Sequence, residues 1–499
     1  MKRNFKILLV LCLALLAGFL VLLLPNAHSR RELTKYKEQL RAQGEKLLIS
    51  ELAPVFPLNP SNGAPKLISV VKNLPASQNS RQAMSMVAPG WARIGYSNVS
   101  PVAMLEYTQN LHAVSELRDA LNTPVFDFHP NYFSGSAMRL DFLAHLKGAE
   151  LLTSAMVVEA LQAGDFSEAR ADLLASVDVI RRFNQEPLLI SGLVRAAMAW
   201  IAVGATWEAL QAEQWTDGQL AELQARWQEL EFLDTAGATL NMERAMMIDT
   251  FAAARKSYTP TPAMALVSLT NTPTGSLLQD AMEQPRQTFN RMVDRYPRYW
   301  TWKASWSHDE ELYCLQIIDA ALTAARQAKA SGAFVPAMSE FTRQATNVHN
   351  LHPAGDEHFR IVGFSPDGAS YGRYLMKLAD VEIMRRLMVT AIALKRFHLV
   401  HGAYPERLEI LVPDYLQRPP IDPMDGKPLR YRLRPGGEFL LYSVGEDGED
   451  NGGDANRVAR GNLNFWVSAR DAVWPSPATR EGMEEYYKDL ESATNGVAK

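Results

Sequence analysis

The chain has 499 residues, enough for about two to four domains at roughly 100–200 residues each, and its 47% hydrophobic and 21% charged residues are those of an ordinary globular protein. A formal net charge of -4 and a sequence pI near 6.2 give no basic footprint for nucleic acid. Only two cysteines, Cys12 and Cys314, are present, which excludes a disulfide framework.

At the N-terminus Lys2, Arg3 and Lys6 precede an uncharged run, residues 7–24, closed by Pro25. Its length approaches the roughly 20 residues that cross a bilayer and exceeds the apolar core of about 7–15 residues in a cleavable signal. Residues 1–29 are therefore read as an uncleaved membrane anchor; cleavage after Ser29, where Ala27 and Ser29 have the spacing of a signal site, is the alternative. The expected placement is a single-pass membrane protein with the body outside the cytoplasm. Arg30, Arg31, Lys35 and Lys37 put positive charge beyond the anchor as well, against the usual bias.

Residues 30–137 read as a short juxtamembrane helix followed by a linker, because Pro54, Pro57, Pro60 and Pro65 break regular structure over 53–90. Over 138–330 the pattern becomes helical. About five helices are predicted from Met138 to Lys256, with breaks at the Gly-Asp of 164, the "NQEP" of 184 and the "WTDG" of 215. The segment "ALQAGDFSEARADLLASVDVIRRF" resembles the junction of a tetratricopeptide repeat, but no period of roughly 34 residues returns, so an irregular helical array is expected. The aromatic stretch "RYPRYWTWKASWSHDEELY" could stack on a sugar or peptide; Trp302 and Trp306, four apart before an amphipathic helix, fit core packing better.

Residues 331–369 read as a loop-rich connection. They include "HNLHPAGDEH", where His349, His352 and His358 lie near Asp356 and Glu357 with ligand-like spacing for zinc. Pro353 and Gly355 point to a solvated loop instead, and no helical H-E-x-x-H pattern occurs. His308 with Asp309 and Glu310 reads as an exposed helix start with acids at its positive dipole end. The sequence has no phosphate-cradling Gly-Lys-Thr loop, dinucleotide fingerprint or G-x-S-x-G elbow.

Residues 370–475 combine a long helix from about Arg373 to a glycine stop at Gly402, a proline-punctuated connection, and two strands, the second in "GGEFLLYSVGEDG". Residues 476–499 form a polar tail. After the second strand, Asp447, Glu449, Asp450, Asn451 and Asp454 offer side-chain oxygens among glycines, a composition suited to calcium. An EF-hand is excluded because Val458 stands where its closing glutamate belongs.

The pieces "HGAYPERLEILVPDYL", "PIDPMDGKPLRYR", "FLLYSVGEDG" and "NFW", in that order, resemble the periplasmic domain of the major pseudopilin of type II secretion systems. The resemblance implies an α+β module, a long helix plus a small antiparallel sheet. It also implies a calcium loop with Asp447 and Asp454 as ligands and a backbone carbonyl near Val444. The apolar run here lacks the glutamate of a pseudopilin membrane helix, and the helical domain is additional. The expected protein is mainly α-helical, a non-catalytic envelope scaffold or partner-binding protein held in the membrane by residues 7–24, with a calcium-stabilised module. Its expected partners are proteins, and not nucleic acid. The alternative is an envelope hydrolase using the histidines or an aromatic helical cleft.

Overall fold

In the computed structural model the described residues are 26–55, 62–72, 101–123, 125–183, 186–258, 299–352, 368–454 and 470–475. The apolar run 7–24, His358, Val458, the "NFW" of 464–466 and the polar tail lie outside them. The described chain is mainly helical, with one small antiparallel sheet.

Helix α1 (residues 26–42) buries Leu33 and Leu40, and a short helix α2 (Ile49–Leu52) follows. Helix α3 (Ala64–Lys72) lies inside the stretch read as linker, which it corrects. Pro65 stands in its first turn, where the missing N–H costs nothing, and Asn62 accepts from the Ala64 N–H at 3.1 Å. Ala64, Leu67, Val70 and Val71 are buried, so a proline-rich context did not prevent one amphipathic segment from joining the core. Helix α4 (Pro101–Leu121) packs against it.

The five helices predicted next are α5 (Asp141–Gln162), α6 (Phe166–Arg182), α7 (Leu189–Leu210), α8 (Asp217–Gln228) and α9 (Ala236–Lys256). Their breaks have local causes. Asp165 caps α6 by accepting the Glu168 N–H at 3.1 Å, and Thr216 and Gln219 form a capping box on α8. α7 is central. It is long and apolar enough to cross a membrane, with mean hydropathy 1.6, yet 61% of its apolar window is buried within the protein. Its small residues Ala199, Ala202, Gly204 and Ala205 let neighbouring helices approach closely.

A helical segment α10 (residues 299–305) leads into α11 (Ser307–Ser331), which ends at Gly332 in the left-handed conformation, and then α12 (Phe334–Leu351). α12 falls inside the stretch read as loop-rich and corrects its first half: Phe334, Ala337, Phe341 and Ala345 recur at helical spacing and are buried. Helix α13 (Ala369–His401) stops at Gly402, φ 75°, as read from the sequence. It lies against α7 and α8 and meets α11 and α12.

Strands β1 (Arg430–Leu433) and β2 (Phe439–Ser443) form the expected hairpin, with Arg430 opposite Tyr442 and Leu433 opposite Phe439. A third strand, β3 (Ala472–Val473), was not anticipated; it pairs with β2 through Tyr442 and Ser443. β2 rests on α13. One hydrophobic cluster runs from Ala64 on α3 to Ala472 on β3, so the helical region and the C-terminal helix and sheet share a core.

Candidate metal loop and its buried supports

Beyond β2 the chain turns through glycines at positive φ. Gly445 (φ +69°) is the most constrained, since a Cβ there would lie 2.7 Å from the Arg470 carbonyl oxygen. Two fully buried aspartates hold this turn. Asp422 accepts from Ser443 Oγ (2.7 Å), the Met424 and Val444 N–H groups (3.0 Å each) and Arg430 Nη1 (3.1 Å). Burial raises its carboxyl pKa, and those hydrogen bonds oppose the rise. Asp471 accepts from the N–H groups of Asn451 (3.3 Å), Gly453 (2.8 Å) and Asp454 (2.9 Å), while its own N–H donates to the Asp454 carbonyl at 3.1 Å. The inner side of 451–454 is thus a nest of amides closed on a carboxylate of the same chain.

The residues expected as ligands divide accordingly. Asp450 accepts from Tyr442 Oη at 2.9 Å, the Gly452 N–H at 3.0 Å and Arg430 Nε at 3.3 Å. Burial raises its pKa, but these donors outweigh that and hold it below the usual value. Val444 is fixed through its N–H to Asp422, and Asp454 Oδ2 lies 4.0 Å from Arg470 Nε. Asp447 and Asn451 meet on the outer side, where Asn451 Nδ2 donates to Asp447 Oδ2 at 3.4 Å and to the Glu449 carbonyl at 3.1 Å. Glu446 comes up against Asp380 on α13; burial, then Glu446, push the Asp380 carboxyl well above its ordinary range, with Lys377 Nζ at 3.2 Å opposing. Among the described residues, no group of three or more His, Cys, Asp or Glu side chains is placed to hold a metal ion.

The loop is fastened to the helices. The N–H groups of Phe334 and Val335, unsatisfied within the first turn of α12, donate to the carbonyls of Pro423 (2.9 Å) and Met424 (3.0 Å). Sequence reasoning missed Asp422, Asp471 and Arg430, because nothing local marks an aspartate whose partners are amides far along the chain.

The other candidates resolve into packing. His349 falls in the last turn of α12. His352 directs Nδ1 at Asp309 Oδ1 (2.9 Å) and Nε2 at Gln316 Oε1 (2.8 Å). The expected exposed helix start is instead interior at Asp309 and Glu310, with His308 half-buried beside them. Glu310 is fully buried and accepts from Trp302 Nε1, and neighbouring Glu311, also fully buried, pairs with Lys37 and Arg255. Trp302 is buried as core packing required. An aromatic cleft does exist, but elsewhere: a 210 Å³ cavity lined by Trp207, Lys395, Tyr404, Phe439 and Trp474, among others, drawn from four separate parts of the chain. Lys395 donates there to the carbonyls of Leu210, the last residue of α7, and of Ala212 just beyond it, and burial pushes its amine down to about 8.

No family model, curated protein or solved structure matches this chain.

Proposed function

We propose that the chain is a membrane-anchored envelope scaffold that binds protein partners beside a secretion or pilus-like machine, and that its C-terminal loop takes calcium. The observation that carries the calcium reading is the position of the Asn451 amide. It donates to Asp447 Oδ2 and the Glu449 carbonyl, two oxygens that converge on one donor. Turning that amide over replaces the donor with Asn451 Oδ1, so that a hard cation would meet oxygens from Asp447, Glu449 and Asn451 with water completing its shell. Asp422 and Asp471 already hold the surrounding backbone, and Arg430 neutralises Asp450. The histidine-based hydrolase is the weaker reading, since both ring nitrogens of His352 are engaged.

Because one core joins the loop to the helical region, the test uses the full chain. Calcium binding to the native state alone adds about 2.7 kcal/mol at about 100 times Kd, a visible rise in melting temperature over the same sample in chelator. Asp447→Ala and Asn451→Ala should abolish that calcium-dependent rise, whereas Glu446→Ala should leave it in place. Equal melting of the wild type in millimolar calcium and in chelator would show a turn that binds no cation.

The anchor has its own check. The full-length chain should remain with membranes after carbonate washing, because an apolar run of this length is costly to expose to water. A mature N-terminus at Arg30 would instead establish cleavage.

A further inference from the structure

α1 presents two faces. One is occupied by the protein: Leu33 and Leu40 are buried, Tyr36 bonds Asp319 and Lys37 pairs with Glu311. The other lines a cleft of about 650 Å³ with Asn26, Arg30, Arg31, Lys35 and Glu38, together with His308 of α11. Three cations and one carboxylate line this cleft, and among the described residues no acidic side chain forms an ion pair with Arg30, Arg31 or Lys35. The imidazole of His308 is bonded through Nδ1 to Asn26 Oδ1. Burial, then the nearby cations Arg255, Arg30 and Lys37, push its pKa down to about 4, so at neutral pH it lines the cleft as a neutral imidazole.

We infer that this cleft is a binding site for the phosphate headgroup of an anionic membrane lipid, held by Arg30, Arg31 and Lys35. The inference rests on the reading of residues 7–24 as the anchor. Asn26 lies two residues past the end of that run, and Arg30 is four helical positions further on, so chain length alone keeps Arg30 and Arg31 within roughly 15 Å of the hydrocarbon boundary. From there an arginine or lysine side chain reaches the headgroup layer. Charge complementarity selects the anionic class, and guanidinium groups suit a phosphate because they donate in a planar fork. The positive charge beyond the anchor, which runs against the usual topological bias, then has a ligand of its own.

The test uses the full chain in neutral detergent, with phosphatidylglycerol, phosphatidylcholine or inorganic phosphate added, and binding followed by native mass spectrometry and by the melting temperature. Phosphatidylglycerol should bind and raise the melting temperature, phosphatidylcholine should do so far more weakly, and 0.5 M salt should weaken the effect. At about fivefold per basic residue near a membrane surface, Arg30→Gln, Arg31→Gln and Lys35→Gln combined should weaken phosphatidylglycerol binding about a hundredfold, and Lys35→Gln alone about fivefold. The single variant keeps the test valid should the triple one fail to fold. Equal binding by wild type and Lys35→Gln, or equal affinity for the two lipids, would overturn the site. An equal response to inorganic phosphate would make it a general phosphate site and overturn the lipid assignment. Carbonate extraction of wild type and variant distinguishes a failure of the anchor, which releases both, from a failure of the headgroup site, which releases neither.

Discussion

Replacing Arg244 with leucine should cost about 3–5 kcal/mol of folding stability, the penalty of leaving buried charges without their partner. Arg244 on α9 is 1% exposed. Its Nη1 meets Asp319 Oδ1 of α11 at 2.6 Å, and its Nη2 reaches Glu45, Asn241 Oδ1 (3.0 Å) and the Lys46 carbonyl (3.3 Å). Asp319 also accepts from Tyr36 of α1, so one guanidinium links α9, α11 and the turn that follows α1. Removing it leaves Asp319, whose pKa burial already raises, without its main counter-charge. Urea unfolding of the single variant beside Arg244→Leu/Asp319→Leu separates the two contributions. The double variant should recover part of the loss, because a pair replaced by apolar side chains is less costly than a pair broken. A single-variant cost under about 1 kcal/mol would mean that solvent screens the pair as it does at a surface.

Glu150→Gln should change how stability depends on pH. Glu150 on α5 is completely buried; its Oε1 accepts from Ser154 Oγ at 2.9 Å and from Ser176 Oγ of α6, and among the described residues its Oε2 has no hydrogen-bond partner. Burial, opposed by the two serines, pushes its pKa up to about 8 from the ordinary 4.5. The sign follows from proton binding. Below pH 4.5 both folded and unfolded states hold the proton; between 4.5 and about 8 the unfolded chain has released it and the folded chain has not, so stability falls as pH rises. At about 1.4 kcal/mol per pH unit this window amounts to at most about 5 kcal/mol. The glutamine cannot ionise and keeps the serine acceptor. Its stability relative to wild type should therefore increase by several kcal/mol between pH 5 and pH 8.5 in paired denaturation curves. A pH-independent difference would show that the carboxyl already titrates normally in the fold. Asp172 and Glu186, each pushed up by burial to about 7, add dependence of the same sign, so the wild type should be most stable on the acid side of neutrality.

Much of the architecture was legible because its signals are local. Asp165 and Thr216 start helices with their own side chains, Gly402 ends one by adopting a backbone conformation other residues resist, and Gly436 and Gly437, at φ 103° and 88°, turn the β1–β2 hairpin. The apolar spacing of α13 was equally plain. α12 was present in the same kind of spacing, in Phe334, Ala337, Phe341 and Ala345, but 331–369 was read as loop-rich on Pro353 and Gly355, which lie past the helix end at Leu351, while Pro336 sits harmlessly in its first turn. Of the loop after β2, the acids and glycines could be read, but not which oxygens were available. Asp450 and Asp447 look alike in sequence, and only the fold puts Arg430 and Tyr442 against the first and Asn451 against the second.

By itself, then, the sequence determined the helical middle, the long C-terminal helix with its hairpin, and an apolar N-terminal run flanked by cations, since each depends on residues within a few positions of one another. Tertiary structure decided that the C-terminal helix and sheet share a core with the helices before them, that Glu310, Glu311 and Asp471 are interior, and that β3 completes the sheet. An acid is stable in the interior only where donors or cations meet it, and those donors lie far along the chain: Lys37 and Arg255 for Glu311, and the amides of 451, 453 and 454 for Asp471. Local spacing carries no record of such partners, because the free energy of their pairing arises only once the chain has folded and excluded water.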